Sequence, residues 1–153
     1  MAGCLLATCR ATVVLRGDGG FGGPTGPVRP VHPAPDGTPD LVLDLPTRPE
    51  QALLYRLNGD DNPLHSDPAT AAAAGFPRPV LHGLCTLGVV GHALLRGLAG
   101  YNAGCIRSMA LRFTAPVFPG ETIRTEMWRN GAFRARVLER DAVVVNNGYL
   151  AVQ

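Results

Sequence analysis

Only one segment of this chain of 153 residues can form a long amphipathic helix, and it sits mid-sequence. From about Leu81 to Leu98, the residues Leu84, Leu87, Val90, Leu94 and Leu98 recur at spacings of three and four. That is the pattern of a helix lying against a core. Everything after it alternates as strands do. Ile106, Met109, Leu111 and Phe113 lead to a turn at Pro119-Gly120, and Thr122–Trp128 runs to Asn130-Gly131, a strong hairpin signal. Phe133–Leu138 turns at Arg140-Asp141, and Val143–Val152 closes the chain. An antiparallel sheet of this kind has one face to cover, and the single long apolar helix is its natural cover. The fold class is α+β.

The N-terminal side reads differently. RATVVLR, residues 10–16, is a short strand by pattern. From Gly17 to Asp40, thirteen of 24 residues are Gly or Pro. Such a stretch holds no regular element and reads as a linker or extended loop. Leu41–Leu45 alternates apolar and acidic residues, as an entering strand does. Thr47-Arg48-Pro49-Glu50 is a helix start, with Thr47 able to cap and Glu50 able to close a capping box. The helix it opens covers Gln51–Leu57 and stops near Gly59. Asp67 reads as the N-cap of a second short helix, ATAAAA, ending at Gly75. The chain divides into residues 1–16, a linker over 17–40, and a domain over 41–153.

Composition removes whole classes of chemistry. The 14 basic residues are all arginine. Without lysine there is no Schiff-base enzyme, no pyridoxal phosphate aldimine and no P-loop lysine. A formal charge of +2 is too mild for a dedicated nucleic-acid binder. The apolar run Leu81–Leu95 carries His82, His92 and three glycines. It is too short and polar for a membrane span, which needs roughly 18–20 apolar residues. MAGCLLATCRATVV lacks a basic start and is interrupted by Arg10, so it does not read as a signal peptide. The four cysteines (Cys4, Cys9, Cys85, Cys105) show no metal spacing and read as reduced. A cytoplasmic protein is expected, with neither nucleic acid nor membrane as partner.

The chemistry concentrates between Tyr55 and Leu84. Asp60, Asn62 and His65 share one tight loop, where Pro63 blocks helix continuation and biases Asn62 towards extended geometry. Such a loop can turn a carboxylate and an imidazole, five residues apart, towards one point. A carboxylate beside an imidazole can hold a water, take its proton and return a proton elsewhere. At the start of the long helix, the first amides are unpaired and carry the positive end of its dipole. Gly83 there lets a ligand approach the backbone, and a carbonyl oxygen gaining negative charge would be stabilised. Each residue taken singly also has a plain structural reading: Asp60 or Asp61 ordering a turn, His65 a satisfied loop histidine, His82 a helix-start residue.

GDDNPLHSDP, residues 59–68, followed by AGFPRPVLHGL, residues 74–84, closely resembles the signature of type 2 enoyl-CoA hydratases of the MaoC-like dehydratase family. RFTAPVFPGET, Arg112 to Thr122, also looks like this family. The likeness runs from Leu53 to Thr122, departing at Asn58, where serine is common, and at Asp61, a variable position. It implies a hot-dog fold, a long central helix wrapped by an antiparallel β-sheet. It implies reversible, (R)-specific interconversion of trans-2-enoyl-CoA and (3R)-3-hydroxyacyl-CoA by a hydro-lyase. The family's catalytic pair falls on Asp60 and His65, its supporting asparagine on Asn62 and its oxyanion amide on Gly83. No metal or redox cofactor is implied, coenzyme A being the carrier of the substrate.

Two further readings go with the resemblance. One is a dehydratase subunit acting on acyl-carrier-protein thioesters, and the other a non-catalytic, thioester-binding hot-dog half-domain. A single hot dog exposes a sheet edge, which a homodimer or a hetero-pair with a second hot-dog chain would cover. RATVVLRGDGGFGG resembles the last strand and outgoing linker of the N-terminal repeat in longer, two-repeat relatives. The expectation is either a shortened two-repeat protein that pairs with itself, its remaining repeat being the domain over 41–153, or a truncated reading frame with a compromised site.

Overall fold

The structure is a computed structural model and describes residues 3–13, 15, 17–24, 26 and 31–153. The chain forms two compact units, residues 1–30 and 31–153. In the first, the described residues lie in neither helix nor strand. The strand read over 10–16 falls partly on positions 14 and 16, outside the described residues, and its described positions carry no strand assignment.

The second unit begins its regular structure at β1 (Leu41–Pro46). The helices α1 (Gln51–Tyr55), α2 (Pro68–Ala73) and α3 (Gly83–Gly97) follow, then β2 (Ile106–Phe113), β3 (Thr122–Met127), β4 (Ala132–Val137) and β5 (Ala142–Val152). All neighbouring strands are antiparallel, in the order β1-β3-β4-β5-β2. Leu43 pairs with Thr125 and Thr125 with Ala135, so the inward positions of three strands stand in one row. Helix α3 covers that face. Val90 and Leu94 are fully buried among Ile123, Met127, Phe133, Ala135, Val137, Val144 and Val145. No described helix is long and apolar enough to cross a membrane.

Two close approaches seat the helix and the sheet. At Gly97, an added Cβ would lie 2.9 Å from both the Cε and Sδ atoms of Met127, so the end of α3 settles on β3 with the methionine thioether packed directly against the glycine. Phe133 pairs with Gly148 across β4 and β5, and its ring occupies the space a side chain at 148 would take. The turns follow the sequence. Gly131 has φ 90°, and the Asn130 side-chain oxygen accepts the Ala132 amide at 3.0 Å.

Two expectations need correction. Thr47 does not cap α1. Its buried hydroxyl donates to the Glu121 carbonyl at 2.8 Å and accepts the Gly120 amide at 3.0 Å. It therefore ties the end of β1 to the Pro119-Gly120 turn, a long-range demand that outweighs the local cap. Glu50 stands at the cap position without a side-chain bond, and α1 ends at Tyr55, extended by a 3-10 turn over Arg56–Asn58. Leu84 is not a core residue either, being 62% exposed. The buried face of α3 is formed by Cys85, Thr86, Val90, Ala93 and Leu94. The sheet covers only that face, and Leu84 points outside it.

Candidate active site

The loop between α1 and α2 is built from local hydrogen bonds. Gly59 ends the 3-10 turn with φ 101°, a left-handed conformation that glycine adopts without strain. Asn62 caps the next 3-10 turn, Pro63–His65, by accepting the Leu64 amide at 3.0 Å through its side-chain oxygen. Its backbone carbonyl accepts the His65 amide at 3.1 Å, and its own amide reaches the Asp60 carboxylate at 3.5 Å. Asp67 then caps α2, accepting the amides of Ala69 and Thr70 and the Thr70 hydroxyl. The Thr70 hydroxyl at 2.6 Å is the first cause that holds the Asp67 carboxyl below its ordinary range.

This loop lies against the segment that enters α3. The Val80 amide donates to the Leu64 carbonyl at 3.3 Å. The His65 Nδ1–H donates to the Val80 carbonyl oxygen at 2.8 Å. Because a carbonyl can only accept, Nδ1 carries the proton, and in the neutral ring the lone pair stands on Nε2. His82 Nε2 meets the Asp60 carbonyl oxygen at 3.1 Å, so by the same reasoning its proton is on Nε2.

Asp60, His65 and His82 each present a donor or acceptor atom within 4.8 Å of the other two. The two imidazoles stack with centroids 3.7 Å apart and planes inclined by 24°. The Tyr55 ring packs on His82 at 4.7 Å. Asp60 is exposed, His65 half-buried and His82 almost fully buried. Burial pushes the His82 imidazole below its ordinary value of 6.5, and neighbouring His65 and Arg56 push the same way, while the Asp60 carbonyl bond and charge oppose them. The three side chains also form a spacing at which a metal ion could be held.

Gly83 is the first residue of α3, directly after His82. It is exposed, and a Cβ there would meet only the Phe113 ring at 3.6 Å, an ordinary contact. The structure thus brings Asp60, Asn62 and His65 into one loop and sets the segment carrying Gly83 beside it. Sequence reasoning left His82 between a side chain leaning into the site and a structural helix-start residue, and did not count it among the site residues. The available signal was its place immediately before Gly83, where a helix-start side chain can turn back onto the preceding loop.

An open groove of about 360 Å³ runs from Tyr55 along α3, lined by Leu45, Pro46, Leu84, Cys85 and Val89 among others. Burial raises the Cys85 thiol above its ordinary range, which keeps it protonated. Of the arginines on the strands, Arg124 forms a two-bond pair with Asp44, while Arg134 and Arg136 share Glu126.

A sheet over one long helix, with an Asp/His loop facing the helix start, defines a hot-dog dehydratase-like domain. The chain belongs to the family described as MaoC like domain, which matches residues 30–152. It is 53% identical to 3-hydroxyacyl-thioester dehydratase Y of Mycobacterium tuberculosis over 96% of this chain and 54% of that protein. It is 43% identical to the peroxisomal enoyl-CoA hydratase 2 of Arabidopsis thaliana, over 99% of this chain and 53% of that one. The crystal structure of a MaoC-like dehydratase from Phytophthora capsici superposes with a TM-score of 0.84 at 41% identity, covering 90% of this chain and 48% of that chain. The fold is the hot-dog fold. The chain spans about half the length of these two relatives.

Proposed function

We propose that this domain is an (R)-specific hydro-lyase that interconverts trans-2-enoyl-CoA and (3R)-3-hydroxyacyl-CoA. The observation that carries the reading is the fixed tautomer of His65: Nδ1–H is committed to the Val80 carbonyl, and the Nε2 lone pair is left for a water beside the Asp60 carboxylate. In the hydration direction, Nε2 takes a proton from water as the oxygen bonds to the β carbon. The thioester carbonyl gains negative charge, which the unpaired first amides of α3, beginning at Gly83, stabilise. The imidazolium, held beside the Asp60 carboxylate, then gives the same proton to the α carbon. One water is consumed, one carbon–oxygen and one carbon–hydrogen bond form, and the double bond is lost. The balance closes with water and thioester alone, so coenzyme A enters as carrier and no further cofactor is required.

The apolar groove along α3 supports an acyl substrate, since it starts at Tyr55, which touches His82. The carrier is decided by assaying enoyl-CoA and enoyl acyl-carrier-protein side by side. Loss of enoyl absorbance with purified protein tests the activity. Thioester binding without turnover would instead support the non-catalytic half-domain.

A second hot-dog unit, in the simplest case a second copy of this chain, completes the same proposal. Strand β2 ends the sheet and carries the half-exposed Met109 and Phe113, whose side chains reach Gly91 and Gly83 of α3. An open apolar edge of this kind invites pairing. Phe113 also lies beside Gly83, so a partner there would adjoin the site. Light scattering at micromolar concentration, reading twice the 16.1 kDa chain mass, is the expected result for a homodimer. A cytoplasmic setting belongs to the same reading. It is supported by four cysteines that are all free, and fluorescent tagging in the source cell would test it.

A further inference from the structure

We propose that His82 is a positioning residue that holds Asp60 and His65 in register with the start of α3. This inference rests on the hydro-lyase reading above and assigns a task to a side chain that the reaction itself does not consume. The groups that act on substrate come from two segments, the loop 60–65 and the helix start at Gly83. Three hydrogen bonds cross between the segments: Val80 amide to Leu64 carbonyl, His65 Nδ1–H to Val80 carbonyl, and His82 Nε2–H to Asp60 carbonyl. Of these, only the bond from His82 reaches Asp60.

The same residue meets the other two elements. Its ring face stacks on His65 at 3.7 Å. Its main chain caps α3, its carbonyl accepting the Thr86 amide at 3.0 Å and the Thr86 hydroxyl at 3.4 Å. One residue, 1% exposed, thereby links the carboxylate residue and the imidazole through its side chain, and the helix that bears the Gly83 amide through its main chain.

The residue type also needs explaining. His82 Nδ1 is buried without a hydrogen-bond partner. Leaving a buried acceptor unpaired costs folding free energy, and a phenylalanine would fill a similar volume without that cost. The fold nevertheless carries an imidazole here, and its Nε2–H is the one edge put to use. A purely packing role does not call for that edge.

The experiment compares wild type, His82→Phe and His82→Gln. His82→Phe keeps a ring for His65 but removes the donor to Asp60. His82→Gln offers a donor again without the ring. The readouts are kcat and KM on a short trans-2-enoyl-CoA, and amide hydrogen exchange at Leu64 and His65 with Val137 and Val144 as sheet references. His82→Phe is expected to lower kcat roughly 10- to 100-fold, the scale of a small misplacement of reacting groups, with KM within about threefold. Loop exchange should rise about tenfold while the sheet references stay unchanged. His82→Gln should recover part of both losses. Unchanged kcat, or unchanged loop exchange, in His82→Phe overturns the proposal. If His82→Phe does not fold, His82→Gln is read alone: loop exchange close to wild type supports the donor role, and exchange raised tenfold overturns it. Wild-type protein without turnover would sink the hydro-lyase reading, while the exchange arm would still report whether His82 holds the loop.

Discussion

The Nδ1–H of His65 donates to the Val80 carbonyl oxygen at 2.8 Å, and this one bond decides which ring nitrogen faces the site. A base presented in this way contributes on the order of 10²–10⁴ in rate. His65→Ala is therefore expected to lower kcat on enoyl-CoA by that order, followed by enoyl absorbance. Asp60→Asn should also lower kcat strongly. Because Asp60 is exposed, the same variant should leave unfolding free energy within about 0.5 kcal/mol of wild type in urea titrations. Near wild-type turnover in both variants would remove the assignment.

The amide of Gly83 can be deleted without rebuilding the helix. Proline is favoured at a first helical position, and His82 before it already has φ −57° and ψ 137°, a conformation compatible with a following proline. The space around Gly83 is open apart from ordinary contact with Phe113. Gly83→Pro should keep the circular dichroism spectrum and lower kcat by about 10²–10³, the usual consequence of losing one oxyanion donor. Gly83→Ala, which keeps the amide, is the control and should retain far more activity. Equal activity in the two variants would place the carbonyl oxygen elsewhere.

Phe133 and Gly148 test the packing of the sheet. A Cβ at Gly148 would fall 2.4 Å from the Phe133 ring and 2.6 Å from its backbone oxygen. Gly148→Ala should destabilise the domain by about 1–3 kcal/mol, as overpacking does. Phe133→Ala should cost about 3–5 kcal/mol through the cavity it opens. Denaturant midpoints with unchanged slopes would confirm both, and a neutral Gly148→Ala would show that β4 and β5 can move apart freely.

The buried His82 gives stability a pH dependence of definite sign. Its imidazole titrates below the ordinary 6.5 in the folded chain, first because burial disfavours the cation. Above pH 6.5, both folded and unfolded chains hold it neutral and it imposes no penalty. As pH falls below that value, the unfolded chain gains the proton first, and stability drops until the depressed folded value is passed. His65 and Arg56 strengthen the effect, and Asp60 opposes it. Urea unfolding between pH 7 and about 5 should show this loss in wild type, and His82→Phe should flatten it. An identical slope in the two proteins would mean that other groups carry the dependence.

Much of this molecule is local chemistry written in order along the chain. The spacing of Val90, Leu94 and Leu98 made α3 a core helix, and Asn130-Gly131 made the hairpin between β3 and β4. Asp67 before Pro68 made the cap of α2. These features depend on neighbours within a turn or two, so sequence alone determines them. The Asp60-to-His65 loop is legible for the same reason, since Pro63 and Asn62 set its backbone within six residues.

What tertiary structure decided lies between segments. Thr47 left its expected cap because Glu121, 74 residues away, offered a better partner for its hydroxyl. Leu84 matched the helical period yet faces a groove, because the sheet covers only the opposite face of α3. The tautomer of His65 follows from a carbonyl fifteen residues on, and the burial of His82 follows from a loop folded back by 22 residues. Hydrogen-bond direction and desolvation depend on which atoms meet in space. The sequence therefore determined which groups could act, and the packing of the loop against the start of α3 decided which atom of each group is free to do so.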